Sequence, residues 1–337
     1  MRFLLDPEQR AFADSLDAML TAADTPSVVR SWSRGEHTSG RALWRRVAGA
    51  GVFALAVPEA YEGLGPRPVE LAVAFMELGR HAVPGPLVET VAAAALLTAL
   101  DDSAPAKGLL PALASGESTA TLATGRYALD ADAADVRLTV SVAELRLAPP
   151  PGHAPSTAEP HPSLDPARRL FPTPAEGELL AVGPQVTTAH SHALTWARLA
   201  TAAQALGVGL ALLDRTVTYV KQRTQFGVPI GSFQAVKHQL ADAKIALEFA
   251  RPLLFGAALT MDPADVAAAK VTTCEAAYKT ARTALQLHGA IGYTAEYDLS
   301  LWLAKARVLR GAWGNPSECR AAVLGVPSDV SGGDRRS

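Results

Sequence analysis

Cysteine is nearly absent: Cys274 and Cys319 are the two in 337 residues. They form no CxxC pair, which excludes a disulfide framework and a zinc-binding cysteine cluster and leaves two ordinary buried thiols. Charge is also sparse, at 19% of residues against about 25% in an average soluble domain. The 31 Lys+Arg and 33 Asp+Glu nearly cancel to a net charge of −2, so nothing here grips nucleic acid by bulk charge. Long apolar runs are missing too. The most apolar stretch, Val91 to Leu100, ends at Asp101 and Asp102, well short of the roughly 20 residues of a membrane span. The opening MRFLLDPEQRAF turns polar after five residues, too early for the apolar core of about 7–15 residues in a secretory signal. No export signal and no membrane association are therefore expected, and the cytoplasm is the expected compartment. What the chain does have is apolar material, 49% of residues, enough for a large core and against extensive disorder. At about 150 residues per domain the length suggests about two domains.

Residues 1 to about 100 read as helices. Asp6-Pro7 is a cap followed by a residue tolerated at the first helical position, and Phe12, Leu16, Met19 and Leu20 recur at helical spacing. Leu43 to Val47 predicts a second helix, ended by Gly49 and Gly51. After the turn-rich stretch Pro58 to Pro68, Val69 to Leu78 and Leu87 to Leu100 are again helical in pattern. Between Thr119 and Val186 the period changes: Val136, Leu138 and Val140 alternate with Arg137, Thr139 and Ser141, as in a half-buried strand. Nine of the 24 prolines fall between Pro149 and Pro174, which precludes long helices there and predicts a small β domain with a proline-rich loop.

From about Ala193 helices return. Leu199, Leu206, Leu210, Leu213, Val217 and Val220 lay one apolar stripe along a long helix. A second is expected to start at Ser232 as cap and carries Phe233, Val236, Leu240, Ala243, Leu247 and Leu254. A third opens at Asp262-Pro263 and stops at Gly289, and a fourth runs from about Tyr297 to Trp313. Short connections make an antiparallel bundle the economical arrangement. The expected organisation is mainly α with a small β domain: residues 1–117 helical, 118–191 β, 192–326 a four-helix bundle, and 327–337 a disordered tail.

Two corners of the bundle are candidates for ligand chemistry. Arg223-Thr224-Gln225-Phe226-Gly227-Val228-Pro229-Ile230 puts a guanidinium and an amide beside a glycine and a proline at a helix junction, which suits a phosphate; equally, Arg223 favours the helix dipole there and Phe226 plugs the core. Gln286-Leu287-His288-Gly289-Ala290-Ile291-Gly292-Tyr293 reads either as a dinucleotide cradle or as a glycine helix stop. Together, RTQFGVPIGSFQ and QLHGAIGY resemble the C-terminal helical domain of the acyl-CoA dehydrogenase family. VPEAYEGLG at Val57 to Gly65 and MELGRH at Met76 to His81 resemble its N-terminal domain, and SLDPARRL at Ser163 to Leu170 resembles the exit of its middle domain.

The resemblance covers nearly the whole chain. It implies an α domain, a β domain and a four-helix bundle, FAD bound between subunits, and oxidation of an acyl-CoA thioester between its α and β carbons. In that family a carboxylate takes the α proton while a hydride passes from the β carbon to the flavin. Here the position of the family's usual glutamate, in Trp313-Gly314-Asn315-Pro316, is Gly314, and the alternative position, just before Arg198, is Ala197. Neither accepts a proton, so no catalytic residue is assigned; Glu318 is the remaining weak candidate, read first as a helix-start glutamate. The family's flavin-ring-binding strands have no counterpart between Thr119 and Ser191, and Pro316 replaces a cofactor-contacting threonine. What matches is the half that reaches a neighbouring subunit's FAD. The resemblance places Arg223 and Gln225 on the pyrophosphate, with Phe226 beside them, Phe233 and Gln234 near the adenosine, and Gln286, Gly289 and Ala290 against the ADP portion.

Arg198 is a candidate for shaping the substrate pocket. His190 and His192, read as neighbours on one face of a strand, lack further ligands for a metal, and no metal site is expected. His288 is read as packing at a helix end, and Glu248 and Glu275 as surface residues. The resemblance implies the non-catalytic subunit of a heteromeric acyl-CoA dehydrogenase, with a catalytic acyl-CoA dehydrogenase subunit as partner in an α2β2 heterotetramer sharing FAD, and a bulky steroid side-chain CoA thioester as a possible substrate. The alternatives are a self-sufficient homo-oligomeric dehydrogenase, a flavin monooxygenase on the same fold, and a non-catalytic scaffold.

Overall fold

The computed structural model describes residues 5–149, 159–174 and 176–326. The tail at 327–337 and residues 150–158 of the proline-rich loop lie outside the described residues. The N-terminal region is helical: α1 (Pro7–Thr21), α2 (Thr25–Ser33), α3 (Thr38–Gly49), α4 (Pro68–Arg80), α5 (Leu87–Thr98) and α6 (Ala104–Ala114). Asp6 begins α1 with a capping box, its carboxylate accepting from the Gln9 N–H at 2.8 Å while Gln9 Oε1 accepts from the Asp6 N–H at 3.1 Å. Helix α5 is buried on every side from Leu87 to Leu97, including Glu89 and Thr90, as befits a helix inserted between other layers.

The β region is made of short strands: β1 (Ala120–Ala123), β2 (Tyr127–Leu129), β3 (Val136–Ser141), β4 (Glu144–Leu147), β5 (Leu170–Pro172) and β6 (Glu178–Val182). They form a four-stranded sheet in the order β1-β3-β4-β6 and a separate β2-β5 pair. The alternation in β3 is realised: Val136, Leu138 and Val140 are buried, Arg137 and Thr139 half-buried, and Ser141 exposed. Strand β1 lies parallel to β3 and packs against α5, where Thr90 Oγ1 donates to the Ala120 carbonyl at 3.0 Å.

The rest is a bundle around α7 (Pro184–Gln222). Helix α7 is apolar and long enough to cross a membrane, yet 94% of its most apolar window is buried inside the fold, against α4, α5, α9 and α8. It begins nine residues before the expected Ala193, with Gly183 at φ 100° and Pro184 at the first helical position. That corrects the strand reading of His190 and His192. Two residues apart on a helix they point about 200° from one another, and His192 instead accepts a hydrogen bond from Trp196 Nε1 at 3.2 Å, one turn on. Close approach of α7 to α4 depends on glycine: a Cβ on Gly79 would strike the Gln204 carbonyl, and one on Gly207 the Met76 carbonyl.

After α7 come two short strands, β7 (Thr224–Gln225) and β8 (Val228–Pro229), then α8 (Gln234–Thr260), α9 (Pro263–His288), α10 (Leu299–Leu309) and α11 (Pro316–Leu324). Ser232 is not the cap of α8: Phe233 holds that position, and Ser232 Oγ donates to the Pro229 carbonyl at 2.7 Å. Asp262 does cap α9, accepting from the Ala264 and Asp265 N–H groups at 2.9 and 3.2 Å. The expected fourth helix is shorter than Tyr297 to Trp313 and is followed by a separate one, because the turn at Gly314 and Asn315-Pro316 restarts the chain as α11. Both cysteines are free and buried.

Candidate functional site

The turn between α10 and α11 is held from three sides. Lys270, buried in α9, donates to the Gly314 carbonyl at 2.6 Å and to the Arg310 carbonyl at 3.5 Å. Arg198 Nε on α7 donates to the Trp313 carbonyl at 3.1 Å, and Trp313 Nε1 donates to Glu89 Oε1 on α5 at 3.3 Å. Trp313 and Gly314 both have positive φ, 56° and 117°. A Cβ on Gly314 would sit 3.1 Å from Arg198 Nη2 and 3.3 Å from Cys319 Sγ. A carboxylate at 314 therefore meets an unfavourable backbone conformation and an occupied side-chain space. Ala197 is fully buried in α7. Glu318 is engaged in the cap of α11, where its Oε2 accepts from the Asn315 N–H at 3.0 Å and its Oε1 from Asn315 Nδ2 at 2.8 Å.

Beside this turn lies a cavity of about 650 Å³, walled by Leu122, Leu129, Leu194 and Trp313 and carrying Arg168, Arg198, His190 and Glu318. Its wall also contains Glu89, only 4% exposed, whose Oε1 lies 3.7 Å from Arg168 Nη2. Burial raises the Glu89 carboxyl above the usual carboxylate range, and Arg168 pulls it partly back. Burial also lowers His190, favouring its neutral ring. Reading the sequence singled out Arg198 but neither Glu89 nor Arg168. The available signal was a lone acid inside the apolar run from Leu87 to Leu97.

The second corner lies at the end of the bundle where α7 and α9 stop. Tyr219 in the last turn of α7 stacks on His288, the last residue of α9, with ring centroids 4.1 Å apart, which brings the two motifs to one end. His288 is buried, its Nδ1 2.8 Å from the Ala284 carbonyl oxygen, and burial lowers its pKa, so it packs as a neutral ring. Strands β7 and β8 form a hairpin whose two-residue turn, Phe226-Gly227, has φ 52° and 81°, the sign pattern of a type I′ turn. Phe226 does not plug the core: it is 90% exposed and meets Phe233 edge to face at 6.3 Å between centroids. Arg223, Gln225, Gln234, Gln286, Gly289 and Ala290 are all exposed. Among the described residues Arg223 forms no ion pair, and Gly227 and Gly289 leave open space where a Cβ would stand. An unneutralised guanidinium, two aromatic rings and two open glycine turns fit the phosphates and base of a dinucleotide held from outside the chain.

A further cluster joins α1 and α4. Asp17, Glu77 and His81 bring their donor atoms within 4.8 Å of one another. Arg80 Nε lies 3.6 Å from Glu77 Oε1 and His81 Nε2 2.8 Å from Asp17 Oδ1, so contacts within the protein account for the grouping.

Residues 6–117 match the acyl-CoA dehydrogenase N-terminal domain and residues 187–321 the acyl-CoA dehydrogenase C-terminal domain. The chain belongs to the acyl-CoA dehydrogenase family of oxidoreductases. It is similar to the acyl-CoA dehydrogenase IpdE2 of Mycobacterium tuberculosis, 33% identical over 305 residues that span 89% of this chain and 91% of that one. Among solved structures, the Tcur3481-Tcur3483 steroid acyl-CoA dehydrogenase G363A variant superposes with a TM-score of 0.79 at 26% identity, covering 94% of this chain and 97% of that one. The ChsE4-ChsE5 complex from Mycobacterium tuberculosis gives a TM-score of 0.82 at 24% identity, covering 97% of this chain and 100% of that one.

Proposed function

We propose that this chain is the non-catalytic subunit of an FAD-dependent acyl-CoA dehydrogenase that acts on a steroid-derived CoA thioester, with a catalytic partner subunit supplying the base. One observation carries the reading: the base position is a glycine at φ 117° pressed against Arg198, while the dinucleotide corner is intact and faces outward. FAD, when bound, supplies the hydride acceptor. Arg223 and Gln225 hold its pyrophosphate with Phe226 beside them, Phe233 and Gln234 the adenosine, and Gln286, Gly289 and Ala290 the ADP portion, all from the far side of a subunit boundary. An exposed stripe on α8, Ile245, Phe249 and Leu253 at four-residue steps, gives the partner an apolar surface to cover. The similarity to IpdE2 supports acyl-CoA dehydrogenation and that to the Tcur3481-Tcur3483 steroid acyl-CoA dehydrogenase structure the substrate class, and the ChsE4-ChsE5 complex supports a two-subunit assembly, for which the proposed stoichiometry is α2β2. In this reading the three domains are residues 1–117, 118–183 and 184–326, the second boundary moving from 191 to the start of α7 at Pro184, and they work in the cytoplasm.

The reading is tested at Arg223. Arg223→Ala removes one charge-assisted phosphate contact and should weaken FAD retention by the co-expressed complex by about 1.5–3 kcal/mol. Full flavin content in the mutant complex after extensive dialysis overturns the assignment.

A further inference from the structure

Tyr219 contributes no contact in the function proposed above, yet it grips the second motif at two points. It stands half-buried in the last turn of α7. Its ring lies on that of His288 with centroids 4.1 Å apart and planes 21° from parallel, and its hydroxyl donates to the His288 carbonyl at 3.4 Å. That carbonyl belongs to the final residue of α9, where helical carbonyls lack an intrahelical partner. His288 is itself locked: it is buried, its Nδ1 donates to the Ala284 carbonyl at 2.8 Å, and the Tyr297 ring lies 5.7 Å from its own.

Each end of this contact leads directly to a group assigned to the cofactor. On α7, the Arg223 N–H donates to the Tyr219 carbonyl at 2.9 Å, and the Arg223 carbonyl accepts from the Ile230 N–H at 2.8 Å to close the hairpin. On α9, Gly289 follows His288 at φ 63° and Ala290 comes next. Arg223, Gln286, Gly289 and Ala290 are all exposed, so the packing beneath them sets how far apart they stand. One dinucleotide spans two motifs only when their spacing matches its own, and a misplacement of about 1 Å is enough to lose a contact. On the cofactor assignment made above, we propose that Tyr219 is a positioning residue: it fixes the Arg223 corner against the Gly289 turn so that both reach one FAD.

The test measures FAD dissociation from the co-expressed complex, at unchanged assembly mass, for Arg223→Ala, Tyr219→Leu and the double variant. Arg223→Ala should raise the dissociation constant about tenfold to hundredfold, and Tyr219→Leu about tenfold or more. Tyr219→Phe keeps the ring and drops only the hydroxyl bond, so it should bind within about threefold of the wild type. The two losses should not multiply: in Tyr219→Leu, adding Arg223→Ala should cost about threefold or less, because a displaced guanidinium has little contact left to lose. Losses that multiply in full, or wild-type FAD binding in Tyr219→Leu, overturn the proposal and leave the cofactor assignment standing. An Arg223→Ala complex that retains FAD overturns both. Should Tyr219→Leu fail to assemble, His288→Leu removes the same stack from the other helix and carries the same cycle with the same expectation.

Discussion

Three side chains that never touch the outer corner fix the turn at 314: Lys270, Arg198 and Glu89. Each ties a different helix to one loop, so the loop's conformation is set by the whole bundle. Restoring the family's glutamate with Gly314→Glu should therefore not restore a base. It should cost about 1–3 kcal/mol through the positive φ alone, plus the displacement of Arg198, and leave the chain without dehydrogenase activity of its own; thermal unfolding and an assay of the isolated chain check both halves. Lys270→Met should cost about 1–3 kcal/mol, since it strips the half-buried Gly314 carbonyl of the donor that buried Lys270 supplies, as read from a urea titration.

Asp130 makes a pH prediction at the same scale. Burial raises its pKa to about 7, so its native form holds a proton that the unfolded chain releases near pH 4. Its contribution to stability is full below about pH 4 and is lost as pH rises through about 7. Asp130→Asn should flatten the fall in melting temperature across that window relative to the wild type. An unchanged slope would contradict the burial argument.

At the scale of elements, the β7-β8 hairpin carries Phe226, a proposed cofactor contact, at a strained position, since it sits at φ 52° where glycine is at ease. Phe226→Gly should leave the isolated chain as stable or more so, while weakening flavin retention by the complex; a loss of stability would show that Phe226 packs internally. Helices were the most legible feature of the sequence. The stripe from Leu199 to Val220 and the Asp262-Pro263 start are where periodicity and capping place them, because burial and the unsatisfied N–H groups of a first turn dictate those residues. The first turns of α7 were not legible. Thr187, Thr188, Ser191 and His192 face solvent, and the buried face of this stretch, Val186, Ala189 and Ala193 at helical spacing, is made of side chains too few and too small to stand out as a stripe. Ser232 has the chemistry of a cap, but its hydroxyl is taken by the Pro229 carbonyl. The split of the last helix into α10 and α11 was written in Gly314 and Asn315-Pro316, whose significance depends on the tertiary contacts around them.

For the whole molecule, one face has been closed and another left open. The cavity beneath Trp313 holds a buried acid and two cations in place of a base, and its most telling member, Glu89, was hidden in the sequence because a single glutamate in an apolar helix announces neither its depth nor its neighbours. The corner proposed to hold the dinucleotide draws on two short motifs visible in the sequence, which the Tyr219–His288 stack brings to one end of the bundle. The outward aim of that corner, with Arg223 free of any ion pair among the described residues, is the feature on which the proposed second subunit rests. The most direct measurement is the visible absorbance and assembly mass of this chain purified alone and after co-expression with a catalytic acyl-CoA dehydrogenase subunit. The account predicts a colourless chain that turns yellow only in the complex, at one FAD per two chains; a chain that is yellow by itself at one FAD each would contradict it.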